Sequence, residues 1–274
     1  MQQRLMITGA GGHLGSRLTE LAPWATAYDR ACLDVTDAEA VREAVSRHDV
    51  VINAAAWTDV DGAETAEVTA TEINGASALA QACIGKRLIH VSTDYVFDGT
   101  ASHPYHENSK TNPINAYGRS KLVGERAVLA AGGTVVRTAW LYDTSGRNFM
   151  TTMLKLAAER DTLTVVNDQH GQPTWALVLA QQLLAIADNE HVPAGTYHGT
   201  CSGQTTWYGF AREIFRLSGL DPERVQPTTS DKFPRPARRP AYSVLAHGNW
   251  AAAGLAPLPP WDITLEKALA HALA

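Results

Sequence analysis

Short runs of aliphatic and β-branched residues alternate with longer, alanine-rich amphipathic stretches through the first half of the chain. Leu5-Met6-Ile7-Thr8, Thr26-Ala27-Tyr28, Val50-Val51-Ile52, Leu88-Ile89-His90-Val91 and Thr134-Val135-Val136 read as buried strands. Between them the pattern predicts helices over 14–21, 37–47, 67–84 and 113–131. Strands that are apolar at consecutive positions belong in a sheet covered on both faces, and their alternation with helices predicts βαβ units. A further helix near 147–159 precedes a strand-like run, Leu163-Thr164-Val165-Val166.

Past about residue 170 the pattern changes. A helix near 174–188, a strand at Gly195-Thr196-Tyr197-His198 and a helix near 205–218 precede an extended, proline-rich segment over 226–245. Pro234, Pro236 and Pro240 argue against regular structure there. The expected fold is α/β: a doubly wound parallel sheet, Rossmann-like, over 1–170, with a smaller C-terminal lobe over 171–274. Some segments of the lobe are expected to return to the first domain. No internal repeat or low-complexity linker is visible.

Composition narrows the class. A chain of 274 residues, 45% hydrophobic, has ample apolar content for a large core. The net charge of -5 gives no basic field for a nucleic acid backbone. No apolar run approaches the roughly 20 residues that cross a bilayer. Met1-Gln2-Gln3-Arg4 leads straight into a strand, so no secretory leader is expected. Cys32, Cys83 and Cys201 are odd in number and scattered, which argues against disulfides and against zinc. The spacing of His13, His90 and His170 matches no metal-ligand pattern. A cytoplasmic protein with neither nucleic acid nor membrane partner is expected. Arginine outnumbers lysine 17 to 6, so a well-placed lysine carries extra weight.

The first chemical signal follows the first strand. Gly9, Gly12 and Gly15 occupy a strand-to-helix junction in Thr8-Gly9-Ala10-Gly11-Gly12-His13-Leu14-Gly15. The first glycine permits a tight turn, the second lets backbone N–H groups approach a pyrophosphate, and the third lets the helix pack closely. A glycine turn alone is weak evidence, but this one sits in the context dinucleotide binding requires. Asp29, at the end of the second strand, is placed to accept the adenosine ribose 2′-hydroxyl. Arg30 follows it and can receive a 2′-phosphate instead, so either NADH or NADPH is expected. Asp34, next to Val35, either meets the adenine amino group or caps the helix beginning near 37.

The second signal is Tyr117 and Lys121, four apart on one face of a predicted helix. Ketone reduction needs a proton for the developing alkoxide. A phenol with an ordinary pKa near 10 serves better beside an ammonium that stabilises its anion. The pair lies one unit after Ser92-Thr93-Asp94-Tyr95-Val96-Phe97-Asp98-Gly99, at the carboxyl end of the fourth strand, where open α/β sheets bind ligands. Thr93 is the hydroxyl expected on the substrate carbonyl.

These residues resemble the extended short-chain dehydrogenase/reductases, and more narrowly the dTDP-4-dehydrorhamnose reductases. The resemblance rests on Asn53-Ala54-Ala55-Ala56-Trp57-Thr58-Asp59-Val60-Asp61-Gly62-Ala63-Glu64, on Ser92 to Gly99, and on Tyr117-Gly118-Arg119-Ser120-Lys121-Leu122-Val123-Gly124-Glu125. Val165 to Thr174 and Pro236-Ala237-Arg238-Arg239-Pro240 complete it over nearly the whole length. It implies that Thr93, Tyr117 and Lys121 are catalytic. Gly9, Gly12, His13, Leu14, Gly15, Asp29, Arg30, Asp34, Val35, Ala54, Ala55 and Ala56 would hold the cofactor with Tyr117 and Lys121. Thr93, Asp94, Tyr95, Phe97, Trp140, Asn148 and Arg239 would meet the substrate. A core aromatic is the alternative for Trp140, and a solvated loop arginine the alternative for Arg239.

The implied reaction is reduction of the 4-keto group of a dTDP-linked 4-keto-6-deoxyhexose by NAD(P)H, giving dTDP-L-rhamnose in the rhamnose case. Two alternatives stand: a reductase of another nucleotide-activated 4-ketosugar, and a non-catalytic regulatory subunit of the same fold, like the partner of methionine adenosyltransferase. Some members of the resembled family dimerise around magnesium held by acidic residues. No equivalent cluster is identifiable, which leaves no predicted metal and a choice of monomer or homodimer. The alanine-rich end at Ala274 offers no obvious dimer helix.

Overall fold

Side chains alternate between the faces of a strand, so a sheet covered on both sides must be apolar at every position. β1 (Leu5–Thr8), β3 (Val50–Asn53), β4 (Arg87–Thr93) and β5 (Thr134–Thr138) meet that requirement. In the computed structural model, which describes residues 3–272, Leu5, Ile7, Val50, Ile52, Ile89 and Val136 line one core. Their neighbours Met6, Val51, Leu88 and Val135 line the other. Met1, Gln2, Leu273 and Ala274 lie outside the described residues.

Six strands form one fully parallel sheet in the order Thr196–His198, β5, β4, β3, β1, β2 (Thr26–Tyr28). Helices α1 (His13–Leu21) and α7 (Ala176–Asp188) cover one face. The other is covered by α2 (Ala38–Ser46), α4 (Ser77–Ala82) and α5 (Ala116–Ala130). The order reverses between β1 and β3. Beyond the carboxyl ends of those two strands a crevice must open.

A second core gathers α6 (Phe149–Glu159), α8 (Trp207–Leu217) and α10 (Trp261–Ala272) around the parallel strand pair Leu163–Val166 and Val225–Thr228. Helix α7 and Thr196–His198 fall on the large sheet rather than on this core.

Two predicted elements differ. The helix over 67–84 is two helices, α3 (Glu67–Asn74) and α4, broken where Ala76 adopts φ 48°. Asn74 is fully buried there, its amide bonded to the Trp57 backbone and to Ser120, and α5 crosses its carbonyl at Gly124. Within the proline-rich segment, Val225–Thr228 is a strand and Ser230–Lys232 a 3-10 turn. Pro227 is tolerated because a two-stranded ribbon has only edge strands. Among the described residues no helix is long and apolar enough to cross a membrane.

Candidate active site

The crevice is built from close backbone contacts. A Cβ on Gly15 would lie 2.0 Å from the Gly9 carbonyl oxygen, and one on Gly9, at φ +76°, 2.6 Å from the Ala54 carbonyl carbon. Only glycine lets the turn, helix α1 and the end of β3 approach this closely. The cleft outside the turn, of about 560 Å³, is lined by Gly9, Gly12, Asp29, Arg30, Asp34, Val35, Ala54, Ala55 and Ala56. A backbone cradle at a helix N-terminus, leading to exposed acidic and basic side chains, fits an extended dinucleotide. Leu14 is buried in the core beneath the turn. His13 reaches across to the Arg147 carbonyl at 3.2 Å.

The two acidic residues are partly committed. Asp29 accepts the N–H groups of Ala31 and Cys32, and those bonds pull its carboxyl below the usual range. Asp34 accepts from the Thr36 N–H and hydroxyl; Asp37, not Asp34, caps α2.

The carboxyl end of β4 faces the start of α5. Asn115 caps that helix by accepting the Gly118 N–H, and Glu64 accepts the Ala116 N–H at 2.8 Å. A Cβ on Gly118 would lie 2.1 Å from the Tyr95 carbonyl oxygen, so this glycine lets α5 lie against the segment after Thr93. Ser120 receives the Asn74 amide and donates to the Tyr117 carbonyl, while Arg119 pairs outward with Glu67. The intervening residues of the Tyr–Lys motif therefore aim the helix.

Tyr117 is half-buried, edge-on to Tyr95 at 5.9 Å. Burial pushes its phenol up to about 12, against a hydrogen bond from Thr93 and with Asp94 adding to the rise. Lys121 is 2% exposed and donates to the Val91 carbonyl at 2.6 Å. Burial brings its amine down to about 8, with Glu125 opposing. Thr93 donates to Asp94 at 3.0 Å, and burial raises the Asp94 carboxyl to about 6. A phenol that keeps its proton at neutral pH, beside a hydroxyl and one turn from a lysine, is equipped to protonate an alkoxide.

The other substrate candidates separate. Trp140 is half-buried at φ 46°, stacked on Trp207 at 3.7 Å with Phe149 beside it. A left-handed backbone on a tryptophan is strained, and such strain clusters at functional sites. Arg239 donates to Asp61 at 2.9 Å and to the Ala237 carbonyl, fastening the proline-rich loop to the segment after β3. Asn148 is the N-cap of α6, its amide spent on Thr151 and the Asp143 carbonyl. Phe97 is fully buried, stacked on Tyr105 and under Arg137. The structure does not bring either of these two to the Tyr117 cluster. Among the described residues no group of His, Cys, Asp or Glu side chains is placed to hold a metal ion.

Sequence reasoning passed over Asn53 and His90, which bond at 2.8 Å behind Lys121. A histidine inside the apolar run Leu88-Ile89-His90-Val91 was the available signal.

Comparison with known proteins adds three findings. The family described as RmlD substrate binding domain matches residues 3–274. A dTDP-4-dehydrorhamnose reductase of Streptomyces griseus is 49% identical, covering 96% of this chain and 92% of its own. A dTDP-4-keto-6-deoxy-D-glucose reductase of Streptomyces niveus is 47% identical, covering 98% and 97%. The crystal structure of a dTDP-4-dehydrorhamnose reductase from Bacillus anthracis in complex with NADP superposes with TM-score 0.93 at 36% identity, covering 99% of this chain and 100% of that one.

Proposed function

The chain belongs to the RmlD substrate-binding-domain family, and from that premise we propose that it reduces the 4-keto group of dTDP-4-dehydro-6-deoxy-L-mannose to dTDP-L-rhamnose with NAD(P)H. The observation that carries the reading is the meeting of the Thr93 hydroxyl and the Tyr117 phenol at the carboxyl edge of the sheet, with Lys121 on the same helix face. Gly9, Gly12, His13 and Gly15 hold the pyrophosphate, Asp29, Arg30, Asp34 and Val35 surround the adenosine, and Ala54 to Ala56 line the way to the reacting end. When bound, the nicotinamide supplies the hydride.

Tyr117 gives its proton to the oxygen at C4 as charge develops there, and Lys121 stabilises the phenolate left behind. Thr93 turns its hydroxyl from Asp94 to the carbonyl oxygen, lowering the cost of that charge. Trp140 and Trp207 offer an aromatic wall to the deoxysugar. Arg239 keeps one nitrogen on Asp61 and has the rest of its fork for the diphosphate.

The S. niveus relative, named for a different ketosugar, favours a second reading in which the preferred ring is another dTDP-4-keto-6-deoxyhexose. Purified protein assayed against a panel of dTDP-4-ketosugars with NADH and NADPH, with product stereochemistry read by NMR, separates the two. Reduction of the L-mannose-configured ketone to dTDP-L-rhamnose is expected; no cofactor oxidation with any panel member would refute both. The reading places the enzyme in the cytoplasm as a monomer or homodimer, which light scattering distinguishes.

A further inference from the structure

Asn53 ends β3 and is 1% exposed. Its Oδ1 accepts the Ala55 N–H at 3.1 Å and the Thr8 hydroxyl at 2.7 Å. A backbone N–H can only donate, so that atom is the amide oxygen, and the NH2 is the group facing His90 Nδ1 at 2.8 Å. An NH2 cannot accept. His90 Nδ1 must therefore be the acceptor, and the single proton of the neutral ring sits on Nε2. The ring is wholly buried, and burial together with the Lys121 charge keeps it neutral.

His90 Nε2 lies 3.4 Å from Lys121 Nζ. Against an ammonium, that Nε2–H meets another donor; against a neutral amine, it meets a lone pair. We propose that Asn53 and His90 are a positioning pair that aims a fixed N–H at Lys121 and so favours the neutral amine, readying Lys121 to release a proton. The inference rests on Lys121 belonging to the proton-delivery group.

The other groups around Lys121 leave His90 this role. Glu125, one turn along α5, is bound by Arg137 of β5 through two bonds of 2.8 and 2.7 Å and by Ser92 of β4 at 2.6 Å. Its carboxylate is largely compensated. From α5 itself Tyr117 also faces the amine, and β4 adds the Val91 carbonyl. In the step served, the Tyr117 O–H breaks as the product O–H forms. A Lys121 N–H then breaks as the phenol re-forms, and the amine left behind accepts the His90 N–H until solvent returns a proton.

The test uses the full chain without substrate, so its outcome is independent of which ketosugar is reduced. Long-range proton–nitrogen NMR on 15N-histidine protein reads the His90 tautomer, and the 13Cε shift reads the Lys121 titration. The native ring is expected to carry its proton on Nε2. Asn53→Asp keeps the oxygen for Thr8 and Ala55 but turns the donor into an acceptor, which should move the proton to Nδ1. His90→Gln offers an uncharged carbonyl instead. Both are expected to raise the Lys121 titration by about one unit or more, since each supplies an acceptor to the ammonium. A native proton on Nδ1, which needs no variant to observe, overturns the proposal. So does a titration raised in Asn53→Asp but unmoved in His90→Gln, because the added charge would then explain it.

Discussion

Lys121→Met replaces a buried amine by an apolar side chain of similar reach, and its effect on stability can be worked from the site. Burial lowers the amine from 10.5 to about 8, and the residue is 2% exposed. At about 1.4 kcal/mol per unit, that fall amounts to something on the order of 3 kcal/mol. The folded pKa lies below the unfolded one, so between about 8 and 10.5 the unfolded chain binds more protons. Native stability therefore rises with pH across this window relative to the variant; it is fully present above 10.5 and lost as pH falls through about 8. The lost bond to the Val91 carbonyl and the packing of the thioether do not titrate and cancel from the comparison. Urea unfolding of both proteins at several pH values from neutral to above 10.5 measures the gap. The variant is expected to gain on the native protein by on the order of 3 kcal/mol from the alkaline to the neutral end. Two parallel curves, or a gap that moves the other way, would show that burial of the ammonium costs nothing.

Gly15→Ala places a Cβ 2.0 Å from the Gly9 carbonyl and must push α1 from the turn, so NADPH affinity by calorimetry should fall by about 10²-fold, the usual scale for a displacement near 1 Å. Gly11→Ala meets nothing closer than Asp29 Cβ at 3.8 Å and should bind normally; equal losses in both would dissociate binding from turn geometry. Arg137→Met leaves Glu125, 1% exposed, without its cation, and should cost roughly 3–5 kcal/mol by urea unfolding. Adding Glu125→Gln should restore much of that loss, and no restoration would mean the pair is not the cause.

Features that depend on one strand and its neighbouring helix were legible. The glycine turn follows β1, and the four-residue spacing of Tyr117 and Lys121 is itself a statement about a helix face. The consecutive apolar residues of β1, β3, β4 and β5 already required helices on both faces. Contacts across distant segments were not legible. Nothing local to Asn53 or His90 reveals that they meet behind Lys121, because the register of β3 against β4 joins them. The break at Ala76 answers to α5 crossing Asn74, an approach made by residues about 50 positions later. Asn148 and Phe97 were matched to family positions, yet one caps its own helix and the other fills space beneath Arg137.

The most direct measurement is turnover of a dTDP-4-ketosugar by Tyr117→Phe beside its NADPH affinity. Loss of about 10²-fold or more in kcat, with cofactor affinity nearly unchanged, is expected when one phenol supplies the proton. Near-native turnover in that variant would contradict the central claim, since the ketone would then take its proton from some other group.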